Sequence, residues 1–213
     1  MIADKHLPHL DYEMALWSRG YRHVAGLDEA GRGAWAGPVV AAAVILPPND
    51  AGSVGRLAGV RDSKLLTAKR REALLASIQA HALAIGVWIV PAAEIDTGGI
   101  VPATRQAMTL ALQTLSLAAD SLLIDYLTLP DLPLPQTGLP KGDALVLSIA
   151  AASIVAKVSR DRLMVDWDAV YPGFGFARHK GYGTSEHRAA LARLGPCAIH
   201  RRSFAPVRDL ATM

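Results

Sequence analysis

Residues 23–46 read HVAGLDEAGRGAWAGPVVAAAVIL. Two apolar runs, His23–Leu27 and Val39–Leu46, flank a Gly-rich turn, and their Val- and Ala-rich character marks both as buried strands. Asp28 and Glu29 directly follow the first run. An ionised carboxylate beside a buried sheet needs a basic partner, backbone N–H donors or a metal ion. In the turn, Gly31 and Gly33 let backbone N–H groups approach a ligand closely and Arg32 adds positive charge, so a phosphate could rest there.

Pro47, Pro48, Asn49 and Asp50 stop the second strand and open a loop to about Leu66, after which Thr67 caps a helix running to His81. Ala82–Val90 is a third strand, closed by Pro91. Pro102 suits the first turn of a helix with Met108, Leu112 and Leu115 on one face, and Ser121–Ile124 is a short buried strand ending on Asp125. The stretch Tyr126–Pro140 holds four prolines and reads as an extended loop. A long helix spans about Leu147 to Val170, with Ala150–Ser153 as a small face for close packing on a sheet. Thr184 starts a last helix, with Glu186 in its first turn, and Gly195-Pro196 closes it. Strands first and helices later, with crossovers between, predict a mixed sheet covered by helices.

Composition narrows the function classes. The 213 residues suit one domain, with a core over about 20–170 and a C-terminal helical segment over about 171–213. With 51% apolar and 19% charged residues the chain is neither disordered nor an acidic tail protein. No apolar run reaches the roughly 18 residues of a membrane span, and the N-terminus MIADKHLPHLDYE is unlike a secretion signal, so a cytoplasmic location is expected. The single Cys197 excludes an internal disulfide or a cysteine cluster. A net charge of +3 with a pI of about 9.2 permits an anionic partner without demanding one. No P-loop, GxSxG elbow, dinucleotide fingerprint or HExxH is present.

The chemistry-bearing residues are acids and cations. Asp143, in Lys141-Gly142-Asp143, comes eighteen residues after Asp125 and just before the long helix. Three separate carboxylate sites, at two strand ends and a helix start, can converge into an all-oxygen cluster, which suits Mg²⁺ or Mn²⁺ rather than zinc. Cations gather in Arg61-Asp62-Ser63-Lys64, in Arg178-His179-Lys180-Gly181-Tyr182-Gly183-Thr184 and in His200-Arg201-Arg202-Ser203-Phe204, the latter two interleaved with aromatics. That composition fits a nucleic-acid groove.

Taken in order, GLDEAGRG (26–33), DSK (62–64), LLID (122–125), KGD (141–143), SIAAASIVAKVSRDRLM (148–164) and YPGFGFARHKGYGTSEH (171–187) resemble the bacterial ribonuclease HII family, from about Val24 to Val207. The resemblance implies a ribonuclease-H-like fold: a mixed five-stranded sheet flanked by helices, with a helical C-terminal segment beside the cleft. It implies an endonuclease that cleaves RNA in RNA–DNA hybrids and nicks 5′ of single ribonucleotides in duplex DNA. Four carboxylates would hold two divalent ions, Mg²⁺ or Mn²⁺, and the matching positions are Asp28, Glu29, Asp125 and Asp143. Gly31, Arg32 and Gly33, with Tyr182, match the family's device for sensing a 2′-OH at an RNA–DNA junction, while Ser63, Lys64 and Lys180 would hold flanking phosphates. Two departures stand out: Tyr126-Leu127-Thr128 after Asp125, where Gly and a polar residue are usual, and Trp35 in place of a smaller aliphatic residue.

Two other readings compete. A non-catalytic hybrid binder would not keep four acids facing a polyanion, because without cations they repel phosphate. Another nuclease of the same fold, such as a junction resolvase or integrase, is disfavoured by Gly31–Gly33 with Tyr182. A basic cleft on a domain of this size needs no second subunit, so a monomer is expected. Contacts with a sliding clamp or RNA polymerase have no signature in these residues.

Overall fold

The computed structural model describes residues 7–50 and 52–211. In chain order the elements are α1 (Asp11–Ser18), β1 (Val24–Ala30), β2 (Val39–Ile45), α2 (Ser53–Arg56), a 3₁₀ turn (Ser63–Leu65), α3 (Ala68–His81), β3 (Ala84–Val90), α4 (Ala92–Gly98), α5 (Ile100–Gln113), β4 (Ser121–Asp125), β5 (Gln136–Leu139), α6 (Gly142–Leu145), α7 (Leu147–Val170), α8 (Phe176–His179), α9 (Ser185–Leu194) and α10 (Ala205–Ala211). The strands form one mixed sheet in the order β3-β2-β1-β4-β5, antiparallel from β3 to β1 and parallel from β1 to β5. This is the sheet the sequence predicts, with helices on both faces.

Every residue of β2 is buried because α7 covers one face of the sheet and α5 the other. Alternation sorts the side chains: Val24, Ala42 and Val44 join the core under α7, whereas Ala25, Leu27, Val39, Ala41, Ala43 and Ile45 join the core under α5. At Gly26 the α7 backbone comes so close that a Cβ would lie 2.3 Å from the Ser148 carbonyl carbon. The small run Ala150-Ala151-Ala152-Ser153 is wholly buried, as its composition leads one to expect. The expected caps form: Thr67 Oγ1 accepts from Arg70 N at 3.3 Å and Thr184 Oγ1 accepts from His187 N at 3.2 Å.

Three expectations need correction. The first strand does not stop at Leu27 but continues to Ala30, because β2 pairs with it as far as Ala30↔Val40, so Asp28 and Glu29 lie within the strand. The stretch 126–140 is not all loop: Gln136–Leu139 pairs in parallel with β4, from Leu122↔Gln136 to Asp125↔Leu139. The short α6 also precedes α7, leaving Asp143 inside a helical turn.

Candidate active site

The site grows from the parallel pair β1 and β4. Leu27 lies opposite Ile124, so the next residues, Asp28 and Asp125, leave neighbouring strands at one level. Asp28 shares the face of Gly26, toward α7, and is 3% exposed. Asp125 Oδ1 accepts from Gly142 N at 2.7 Å, which draws Lys141-Gly142-Asp143 to the same edge. Three backbone segments thereby deliver four acids to one cleft.

Burial dominates the titration of all four. It raises the pKa of Asp28 well above the usual range, with the charges of Glu29 and Asp125 adding to it. Burial also raises Glu29, partly offset by Arg32, whose Nη1 lies 3.3 Å from Glu29 Oε1. Asp125 is raised by burial against the lowering hydrogen bond from Gly142, and Asp143 by burial against the charge of Lys64. Burial alone would lower Lys64, yet Asp143, Asp62 and Asp28 outweigh it and raise its pKa, with Nζ 3.2 Å from Asp143 Oδ2.

Among the described residues no three His, Cys, Asp or Glu side chains already form a metal shell. Lys64 and Arg32 stand against two of the four acids instead. The donor set nonetheless fits a hard divalent cation, because Asp28 Oδ2 and Glu29 Oε2 are buried with no hydrogen-bond partner among the described residues. A buried, unpaired carboxylate oxygen is costly unless something positive meets it.

Two adjoining cavities open over these acids. One, of about 710 Å³, is lined by Asp28, Glu29, Asp125, Gly31, Arg32, Gly33, Ser63, Lys64, Lys180 and Tyr182, so it gathers every expected site residue except Asp143. The other, of about 720 Å³, shares Glu29, Arg32, Lys64 and Asp125 and adds Asp143, Asp62, Tyr126 and Lys141. Gly33 faces open space, with nothing within 4 Å of where a Cβ would lie, whereas Gly31 has φ +95° and a Cβ there would meet Arg160 Nε at 2.0 Å. Ser63 is buried and its hydroxyl accepts from Ser153 Oγ at 3.0 Å, tying the 3₁₀ turn to α7. Tyr182 is flanked by Lys157 Nζ, 5.3 Å from its ring centroid, and by the Arg160 guanidinium at 5.4 Å. Lys180 turns its ammonium to the Ala177 carbonyl.

Several residues here were not anticipated from sequence. Arg71 and Lys157 line the first cavity and share Asp161, at 3.3 and 2.7 Å. The only hint was the one-turn spacing of Lys157 and Asp161 on a helix. Arg201 and His200 are not groove residues, contrary to the expectation from the basic cluster, because both are buried. Arg201, 0% exposed, donates to the carbonyls of Gly31 at 2.7 Å, Arg32 at 2.8 Å and Gly37 at 3.0 Å. Arg160, also 0% exposed, donates to Pro38, Lys180 and Ala36 at 2.9, 2.9 and 3.0 Å. Two buried guanidiniums thus hold the Gly-Arg-Gly turn and the Lys180–Tyr182 loop in one frame.

Beneath that loop three imidazoles form a chain whose tautomers follow from their partners. His187 Nδ1 donates to the Tyr182 carbonyl at 3.0 Å, so its Nε2 accepts from His200 Nε2 at 3.0 Å. His200 Nδ1 then accepts, from Cys197 N at 3.0 Å and from the thiol at 3.1 Å. His179 stacks on His187 at 4.5 Å, donates from Nε2 to the Phe174 carbonyl and accepts from Gly181 N. Burial lowers His187 and His200 to about 4, so all three are neutral at pH 7.

The family model for ribonuclease HII matches residues 25–207. The chain belongs to the ribonuclease HII family. It is 59% identical over 201 residues to the ribonuclease HII of Chloroflexus aurantiacus, covering 94% of this chain and 95% of that one. It also superposes on the ribonuclease H2 of Pyrococcus horikoshii with a TM-score of 0.74 at 27% identity, covering 89% and 97% of the two chains. The ribonuclease HII of Archaeoglobus fulgidus, solved in complex with PCNA, gives 0.72 at 26%, covering 88% and 96%. Ribonuclease HII enzymes are divalent-metal-dependent endonucleases of the ribonuclease H class, so this chain is a hydrolase acting on RNA–DNA hybrids. No helix among the described residues is long and apolar enough to cross a membrane.

Proposed function

We propose that this ribonuclease H cuts the phosphodiester on the 5′ side of a ribonucleotide that is followed by DNA, leaving a 3′-hydroxyl and a 5′-phosphate. Its substrates would be RNA–DNA hybrids and single ribonucleotides embedded in duplex DNA, as in RNA primer removal and the first step of ribonucleotide excision repair. The observation that carries this reading is the convergence of Asp28, Glu29, Asp125 and Asp143 on one cleft, with two of their oxygens buried and unpartnered.

These four side chains would hold Mg²⁺ or Mn²⁺. When bound, such ions supply acidification of the attacking water and neutralisation of charge on the leaving 3′ oxygen. The chain's own residues do the rest. Lys64, free to trade Asp143 for a phosphate, holds the strand at the cut, and Arg71, Lys157 and Lys180 line the path of the backbone. The Gly31–Gly33 turn and Tyr182 line the same cavity, so a 2′-OH seated there would draw on the turn's backbone amides and on an aromatic ring. Arg160 and Arg201 fix that spacing. One domain, acting as a monomer in the cytoplasm, suffices for this chemistry; the Archaeoglobus relative's complex with PCNA makes a sliding clamp the candidate partner.

The test is hydrolysis of a labelled RNA–DNA hybrid beside an all-DNA duplex, with Mg²⁺, Mn²⁺ or chelator, by the wild-type chain and by Asp125→Asn and Asp143→Asn. Metal-dependent cleavage of the hybrid alone, lost in both variants, is expected. Normal turnover by either variant would sink the assignment.

A further inference from the structure

Of the four non-glycine residues with positive φ among the described residues, three border the two cavities: Tyr126 at 61°, Lys141 at 59° and Lys180 at 52°. Tyr126 is the most unusual of them. Leu127 N donates to the Asp125 carbonyl at 2.6 Å, closing a three-residue turn around Tyr126 in the left-handed region, a geometry rare for any bulky side chain. Such outliers persist where something other than local backbone preference maintains them, and they concentrate at functional sites.

Folding does not supply the reason for a tyrosine here. The turn itself needs only the conformation, which glycine adopts without strain. The neighbours Leu127 and Leu129 enter the core, but Tyr126 is 65% exposed. Among the described residues its ring pairs with no aromatic or cationic group and its hydroxyl makes no hydrogen bond. What the strained turn achieves is placement: Tyr126 lines the cavity formed by Glu29, Asp125 and Asp143. Lys141 lines the same cavity, exposed and without a carboxylate partner among the described residues. An exposed aromatic beside an unpaired cation is the pairing by which proteins take hold of a nucleotide, the cation on its phosphate and the ring on its sugar or base.

We propose that Tyr126 and Lys141 form a nucleotide subsite flanking the cut, in which the Tyr126 ring packs on the sugar and base edge of one nucleotide and Lys141 contacts its phosphate. This rests on the reading of the neighbouring acids as the cleavage centre and extends that centre by one contact on its outer side.

Binding of a fluorescein-labelled RNA–DNA hybrid, measured by anisotropy in chelator over a range of salt concentrations, tests it. Tyr126→Gly should weaken binding about tenfold, the scale of one aromatic–nucleotide contact, with an unchanged salt slope and a melting temperature no lower than wild type. Tyr126→Phe should bind within about twofold of wild type, since the ring makes the contact. Lys141→Ala should flatten the plot of log affinity against log salt by about one unit. Wild-type affinity in Tyr126→Gly overturns the proposal, and so does a loss of affinity that tracks a fall in melting temperature. Asp143→Asn in a parallel cleavage assay keeps the two ideas separate: turnover by that variant removes the cleavage centre whatever Tyr126→Gly does, while a dead Asp143→Asn beside a fully binding Tyr126→Gly removes the subsite alone.

Discussion

Acidification should unlock the loop that carries Tyr182. His187 and His200 are neutral and share one hydrogen bond, Nε2 to Nε2 at 3.0 Å, so a second proton on His187 would set two N–H groups against each other across that bond, while one on His200 Nδ1 would oppose the Cys197 N–H it now accepts. Each folds with a pKa of about 4 against 6.5 for the free side chain. Because the folded pKa is the lower one, the unfolded chain binds more protons between those values, and the stability held by the pair is complete above about pH 6.5 and is lost as pH falls toward 4. That gap amounts to about 3 kcal/mol per imidazole, of which about 2 is lost by pH 5, or on the order of 4 for the pair. That is a large share of a typical folding free energy of about 5–15 kcal/mol. The raised carboxylates of Glu13, Asp28, Glu29, Asp125 and Asp143 act with opposite sign, gaining stability as pH falls, so the raw pH profile mixes both. The share of the pair is isolated by urea denaturation at pH 7 and pH 5 of the wild-type chain and of a His187→Gln/His200→Gln variant, which cannot titrate there. The wild-type chain should lose more stability than the variant by about 4 kcal/mol, and ¹H–¹⁵N spectra should give imidazole midpoints near 4. Equal losses in the two chains, or midpoints near 6.5, would refute the tautomer chain.

Asp28→Asn removes a charge that burial and two neighbouring acids disfavour, so in chelator the variant should melt above wild type, while hybrid hydrolysis falls by about three orders of magnitude, on the order of 4 kcal/mol of barrier. Adding Mg²⁺ or Mn²⁺ should raise the melting temperature of the wild-type chain by mass action, and the rise should vanish in Asp28→Asn/Asp125→Asn; scanning calorimetry with and without chelator reads both. Arg201→Lys cannot hold the three carbonyls in the guanidinium's fork, and those of Arg32 and Gly37 depend on it most because Gly31 O also accepts from Ala34 N; urea denaturation should show a cost of about 2–4 kcal/mol. The same variant should lower the ratio of junction cleavage to cleavage within long hybrids, because the Gly31–Gly33 turn hangs from that guanidinium.

Much of this architecture is legible in one dimension. The β1 and β2 runs, the Thr67 and Thr184 caps and the small face of α7 announce themselves because each depends on local pattern. So do the acids, which stand out as charges against apolar strands. What stays hidden depends on where the chain returns. β5 is four residues, QTGL, with no apolar alternation, and exists only because β4 offers it an edge. α1 holds its place through Glu13, whose carboxylate accepts from Ser148 N, 135 residues away, at 2.8 Å. Arg201 reads as a surface cation until the fold brings three carbonyls around it, and the histidines look scattered until α8, α9 and the C-terminal segment stack them.

Mapping the cut in a duplex that carries one ribonucleotide in an otherwise DNA strand tests the central claim most directly. The strand is labelled at its 5′ end and resolved to single nucleotides with Mg²⁺, with Mn²⁺ and with chelator. A single metal-dependent nick on the 5′ side of the ribonucleotide, leaving a 3′-hydroxyl and absent from the all-DNA duplex, is the result expected of four carboxylates beside a 2′-OH-reading turn. No nick in either metal, or equal cleavage of the all-DNA duplex, would contradict it.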